Sequence, residues 1–268
     1  MQLVALVRRP DRPDDAARAF AEASGLTGAE ARMRLAPEPP ALLARLEPAK
    51  AGALVAALRK AGLAVVTIPL QCPTDEDRLL VQRFAFEGAG FALTSRSGEL
   101  LQAPWSEVIA VLRGLRASRT DVDRTETSKK LSLGRAVLTG GVVISATSTR
   151  RVHSSTEETE QVIFLYLRDG RAATFSEHEL QFTSLGAAMQ PSSTANVLEL
   201  ARRLREGAKG AFHDDRLLRL GRRPVPLLMG NDARSESGKT VTVRSDTAGV
   251  LDVLAEAMRQ ALVEGLLP

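Results

Sequence analysis

Cysteine is almost absent from this sequence: Cys72 is the only one in 268 residues. A single thiol excludes an internal disulfide and any zinc or iron–sulfur centre built from several thiolates. Histidine is nearly as scarce, with His153, His178 and His213 alone. Neither Glu177-His178-Glu179 nor His213-Asp214-Asp215 sets two ligands on one helical face as a zinc-hydrolase motif does, so no metal is expected. Aromatic residues make up 4% of the chain and none interleaves with its arginines, so the stacking platform of single-strand binding is missing and no nucleic-acid partner is expected. Long apolar runs are lacking too. None approaches the ~20 residues of a membrane helix, and Met1–Val7 is short and lacks the preceding charge of a secretory signal. The expectation is a cytoplasmic protein with no membrane insertion.

Charge of either sign is abundant but unsegregated. The formal charge is +4, from 36 basic and 32 acidic residues. Residues 1–70 carry 10 basic and 7 acidic side chains, 71–150 carry 11 and 9, and 151–268 carry 15 and 16. No block is therefore a basic arm. Arginine supplies 30 of the 36 basic residues, and with the abundant alanine this is the codon signature of a GC-rich bacterial genome. The length exceeds the usual single domain of roughly 100–200 residues, so at least two domains are expected.

The first seventy residues read clearly. Gln2–Val7 is an apolar strand, weakly alternating, that runs into Asp11, Pro13, Asp14 and Asp15. Those are helix-start residues, with acids in the first turn where the helix dipole favours them. Ala16, Ala17, Phe20 and Ala21 form an apolar stripe that stops at Gly25, and Thr27-Gly28-Ala29-Glu30 is a capping box for a second helix ending before Pro37. Leu42–Leu46 is a short strand after the Pro37–Pro40 loop. Pro48 opens a third helix with Ala51, Leu54, Val55, Leu58 and Ala61 on one face and Gly62 at its end, and Leu63–Leu70 is β-rich.

That strand-helix-helix-strand-helix-strand order, with Gly25-Leu26, Glu30-Ala31-Arg32, the prolines, Leu58, Ala61-Gly62 and Val65, resembles the C-terminal domain of the bacterial ribosomal stalk protein, a fold shared by ClpS-type protease adaptors. It covers about a quarter of the chain. In the stalk family basic residues of the first two helices touch protein partners, which implies a protein-binding role for Arg18 and Arg32; Ala29 stands where that family usually has lysine. The adaptor family's Asn-Asp-Asp segment is replaced by Arg9-Pro10-Asp11-Arg12, so recognition of destabilising N-termini is not implied.

Gln71–Asp77 is polar, contains a proline and reads as a linker. Beyond it the periodicity turns to strands: Leu80–Phe86 and Phe91–Ser95 around Glu87-Gly88-Ala89-Gly90, then Val142–Thr149, and Val162–Leu167 joined to Arg171–Phe175 by the hairpin signal Asp169-Gly170. The segment opened by Trp105 fits either a helix or a strand, and Trp105 itself is expected in the core of the β-rich part. Residues 116–134 are polar and read as a long loop. Ser192–Thr194 caps a helix with Val197, Leu198, Ala201 and Leu204 inward, ending at Gly207. Strands closed by one helix, with Ser97-Gly98, Leu101, Pro104-Trp105 and Glu107-Val108 at the third strand, resemble a bacterial pleckstrin-homology-like domain. Thr240–Arg244 and Val250–Leu262 form a final strand and helix. The fold class is therefore α+β, with a stalk/ClpS-like domain at 1–70, a linker at 71–77, a β-rich, PH-like domain at 78–230 and a C-terminal strand-helix appendage at 231–268.

No catalytic constellation emerges. Ala233–Thr240 approaches a phosphate-loop pattern through Gly238-Lys239-Thr240, but the mechanism needs a helix after it, and Thr240-Val241-Thr242-Val243 alternates like a strand, so neither ATP nor GTP is expected. Ser145, Ser148, Ser154 and Ser155 surround His153 without a nucleophile elbow. The one net-basic stretch holds Arg113, Arg116, Arg119, Lys129 and Lys130, a candidate loop for an anionic partner in a pleckstrin-like setting. The reading is a non-enzymatic interaction, scaffold or adaptor protein without cofactor, whose partner is another protein, with a homo-oligomer allowed. Its alternative is a ligand-binding regulator or divergent enzyme with a site in the β-rich domain or the interdomain cleft.

Overall fold

Strand β1, Gln2–Leu6, sits at the centre of a small antiparallel sheet between β2, Ala41–Leu46, and β3, Val65–Pro69. Leu3, Val4, Ala5 and Leu6 are each 0% exposed, so both faces of β1 are covered. A strand buried on both faces reads as a continuous apolar run, and this is why its alternation in the sequence is weak. The computed structural model describes residues 1–131, 145–222, 233–237 and 240–268.

Three helices cover one face of this sheet. Helix α1, Pro13–Ser24, has Asp14 and Asp15 in its first turn and stops at Gly25, whose φ of 71° supplies the left-handed cap that a side chain would oppose. Helix α2, Gly28–Leu35, opens with the capping box: the Thr27 amide donates to Glu30 Oε2 at 2.9 Å and the Glu30 amide to Thr27 Oγ1 at 3.3 Å. Helix α3, Pro48–Lys60, buries Ala51, Leu54, Val55 and Leu58. Together they enclose Val4, Leu6, Phe20, Leu43 and Leu58 in one core. The element order over residues 1–70 is the one the sequence predicts.

A second, larger sheet follows. Strands β4 (Leu79–Glu87), β5 (Gly90–Ser95) and β6 (Leu100–Pro104) form an antiparallel meander. A single 3-10 turn at Trp105–Glu107 leads into β7, Val108–Leu131. Strand β8, Ser145–Leu167, and β9, Ala172–Ser176, make the hairpin signalled by Asp169-Gly170, and β9 pairs with β4 in parallel. Helix α4, Ser193–Gly207, packs Val197, Leu200 and Leu204 against Leu93, Val111, Ile163 and Phe175. Its N-cap is Ser192, whose hydroxyl accepts from the Ala195 amide. A short strand β10, Phe212–Asp214, lies parallel to β7 at Ala110–Leu112.

The chain forms two compact units. The first comprises Met1–Arg116, Thr159–Met229 and Thr247–Pro268; the second comprises Ala117–Glu158 and Gly230–Asp246. In the second, β11 (Ala233–Ser237) pairs with β12 (Thr240–Asp246), which pairs antiparallel with β7 from Ser118 to Arg124. The stretch read from sequence as a loop at 116–134 is thus strand as far as Leu131. Over 117–131 the apolar residues are Ala117, Val122 and Leu131 alone, so no face carries the alternating pattern by which a strand is read. What holds this stretch extended is its place in the sheet between β12, which pairs with Ser118–Arg124, and β8. Residues 132–134 lie outside the described residues.

The C-terminal helix α5, Ala248–Val263, belongs to the first unit. Its Leu251, Leu254, Ala255, Met258 and Ala261 share a core with Leu3, Ala5, Val7, Val66 and Ile68 of the small sheet and with Ala110, Leu112, Val162 and Phe164 of the large one. Far from an appendage in its burial, it covers the face of the small sheet that the three helices leave open.

Candidate functional site

The two basic residues singled out on the first helices are occupied. Arg18 lies 3.6 Å from Asp15, and Arg32 Nε donates to Asp14 Oδ1 at 3.3 Å, all four side chains being exposed. The basic stretch of β7 is divided. Arg113 pairs with Asp215 at 3.2 Å and with the Gln161 amide oxygen at 3.3 Å, whereas Arg116 holds Asp75 through both terminal nitrogens, at 2.6 and 2.8 Å. An odd spacing along a strand sends 113 and 116 to opposite faces, so they do not converge on one anion. The backbones of Arg119, Lys129 and Lys130 lie on β7; their side chains lie outside the described residues. Gly238 and Lys239 lie outside them as well, and the residues after them form strand β12.

The histidines are spread apart. His153 meets Asp123 at 2.8 Å, His178 lies 3.8 Å from Glu160, and His213 Nε2 is 2.9 Å from the Ala208 carbonyl oxygen. No helix among the described residues is long and apolar enough to cross a membrane.

Two places concentrate chemistry, and of their charged residues only Arg116 was a candidate in the sequence. The first is a cleft of about 570 Å³ between the end of α1, the outer face of α3 and strand β2. Phe20 and Leu54, both buried, lie at its base, and Ala23, Ala53 and Ala57 form exposed apolar walls. Its polar lining is Ser24, Arg34, Arg45 and Lys50, with no carboxylate. The volume falls within the roughly 300–1,000 Å³ of ligand clefts. Positions 23, 53 and 57 read in the sequence as the outward faces of their helices. Alanine at all three was the available signal, because a solvated face normally carries longer polar residues.

The second place is a buried charge cluster on the far side of the unit. Arg78, 1% exposed at its side chain, donates from Nη1 to Asp252 Oδ1 at 2.5 Å and lies 4.9 Å over the Phe164 ring. Arg116 reaches within 3.9 Å of the same carboxylate, and Arg259 grips Glu256 through Nε and Nη2 at 2.6–3.0 Å. Asp252, Glu256 and Arg259 follow i, i+4, i+7 spacing, so α5 presents one polar stripe beside its apolar ones. Three arginines thus face three carboxylates counting Asp75, and the net charge is zero. Arg78 Nε and Nη2, Arg116 Nε, Tyr166 Oη and Thr174 Oγ1 are buried without a hydrogen-bond partner among the described residues.

Comparison of the chain with protein-family models, curated proteins and solved structures finds no match.

The cluster leaves a direct mark on titration. Burial pushes the Cys72 thiol up to about 12, with Glu256 adding to the effect and Arg78 opposing it. Burial also raises the Tyr166 phenol above its ordinary value, with Glu256 and Asp252 adding and Arg78 opposing. Because the folded value lies above the unfolded one of about 10, this contribution to stability is fully present below pH ~10 and is lost as pH rises through the folded value. Tyr166 is the only tyrosine, so absorbance at the phenolate band reads it alone. Native protein is expected to show no phenolate at the pH where denaturant-unfolded protein is half ionised; coincident titrations would mean that Tyr166 meets water.

Proposed function

We propose that this chain is a protein-interaction protein, a scaffold or adaptor, which receives a segment of another protein in the cleft between α1, α3 and β2. The observation that carries this reading is the apolar lining and alanine walls of this cleft, which the described residues leave open. Leu26 and Leu46, both half-buried, offer anchors for apolar side chains, and a wall of small residues lets a partner backbone come close. Recognition of this kind needs no catalytic group.

A photo-crosslinking residue at Ala53 tests it in extracts of the host. A discrete crosslinked product is expected, and Ala57→Trp, which fills the cleft from an exposed position, is expected to remove it. A surface change of this type leaves stability within about ±0.5 kcal/mol, so loss of product reads binding rather than folding. Absence of product, or a product indifferent to Ala57→Trp, would overturn the reading.

The alternative, a ligand-binding regulator, has its own observation: a cleft of about 390 Å³ lined by Arg78, Gln82, Ser95, Arg96, Glu99 and Glu179 beside β4. Its charges of both signs fit a small zwitterion better than an anion.

A further inference from the structure

We infer that the segment held in the α1–α3 cleft is an acidic amphipathic helix. This rests on the interaction reading and names the chemistry of its partner. The first argument is charge. Arg34, Arg45 and Lys50 line the cleft and no acid does. The ion pairs formed by α1 and α2 use Asp14 and Asp15, with Arg12, Arg18 and Arg32 as their cations, and among the described residues no ion pair includes Arg45 or Lys50. Two exposed cations beside an apolar floor attract carboxylates and repel basic segments, which selects a partner as much by exclusion as by attraction.

The second argument separates a helix from an added strand. Strand β2 is an edge of its sheet, which is where an extended peptide would pair. Its register slips between the pairs Val4–Ala44 and Ala5–Leu42, and the Leu43 carbonyl left at this irregularity accepts from Arg34 Nη1 at 2.8 Å. A bulge and an occupied carbonyl both oppose strand addition. The walls, by contrast, are two helices bearing alanine at 23, 53 and 57, a surface whose shallow grooves accept the ridges of a third helix. An incoming helix with apolar residues at i, i+3, i+4 and i+7 places them over the half-buried Leu26 and Leu46 and the exposed alanines, and its flanking glutamates meet Arg45 and Lys50.

Fluorescent synthetic peptides of about 18 residues, long enough to hold helical structure, provide the test against the full chain. One carries leucine at helical spacing with glutamate elsewhere, the second has lysine for glutamate, and the third scrambles the acidic peptide so that its periodicity is lost. The acidic amphipathic peptide is expected to bind at least about tenfold more tightly than either control, and to weaken as added salt shortens the screening length from about 10 Å at 0.1 M to about 3 Å at 1 M. The double variant Arg45→Glu, Lys50→Glu is expected to invert the preference between acidic and basic peptides. Equal binding of the scramble would overturn the helix, and equal binding of the lysine peptide would overturn the charge selection. If no peptide binds while the Ala53 crosslink persists, the acidic-helix inference fails and the interaction reading stands. Loss of both removes both.

Discussion

Arg78→Ala is expected to lower the stability of the folded chain by about 3–5 kcal/mol, the range for removing one partner of a buried ion pair. The cost lies in what stays behind. Asp252, 7% exposed at its side chain, loses its 2.5 Å partner and keeps only Arg116 at 3.9 Å, while the Phe164 ring loses its cation. Exposed pairs supply the contrast: Arg18→Ala, which removes a 3.6 Å contact in water, is expected to change stability by less than about 1 kcal/mol. Urea unfolding followed by Trp105 fluorescence measures both. The double variant Arg78→Met, Asp252→Leu is expected to recover most of the loss, because an apolar pair of similar volume needs no desolvated charge. A loss below about 1 kcal/mol for Arg78→Ala would mean that water reaches the cluster.

Gly207→Ala is expected to destabilise by about 2 kcal/mol, although alanine is the better helix former by about 1 kcal/mol. Gly207 closes α4, and a Cβ there would sit 2.4 Å from Trp105 Cε2 and 2.6 Å from Cδ2 and Cζ2. The indole is held against two rings, its centroid 5.3 Å from that of Phe86 and 4.9 Å from that of Phe91. Overpacking therefore outweighs propensity. In a Trp105→Leu background the clash disappears and the sign is expected to reverse, with Gly207→Ala then stabilising the helix. Calorimetric melting of the four proteins gives the coupling directly, and additive effects would show that the ring yields freely. Trp105 itself is half-buried at the edge of this core, in a 3-10 turn rather than in a strand.

Residues 1–70 were legible because their signals are local. Pro13 and Pro48 at helix starts, the Thr27–Glu30 box and Gly25 and Gly62 at helix ends each act within a few residues, and the structure places helices α1, α2 and α3 between those marks. The Asp169-Gly170 hairpin and the Ser192 cap were legible for the same reason. The outer part of β7 was not, since it is extended by pairing with β12 more than 110 residues away in sequence, and its own side chains carry no apolar period. Helix α5 was recognised as a helix, but not as the cover of a sheet, because burial of Leu251 and Met258 against Leu3 and Val66 joins the two ends of the chain.

The same division holds for function. Composition alone set aside an internal disulfide and a multi-thiolate metal centre within these 268 residues, since each demands more than one cysteine. The sequence also determined the helix ends and strand identities of residues 1–70, where hydrogen bonds and caps connect near neighbours. Only the tertiary structure decided that Arg116 faces Asp75, that Arg78 and Asp252 meet in the interior, and that Arg34, Arg45 and Lys50 border an apolar cleft without a carboxylate. Those juxtapositions bring together residues from separate elements, and the position of one element on another is set by which apolar faces bury each other, a condition satisfied by the whole chain at once and written in no single segment of it.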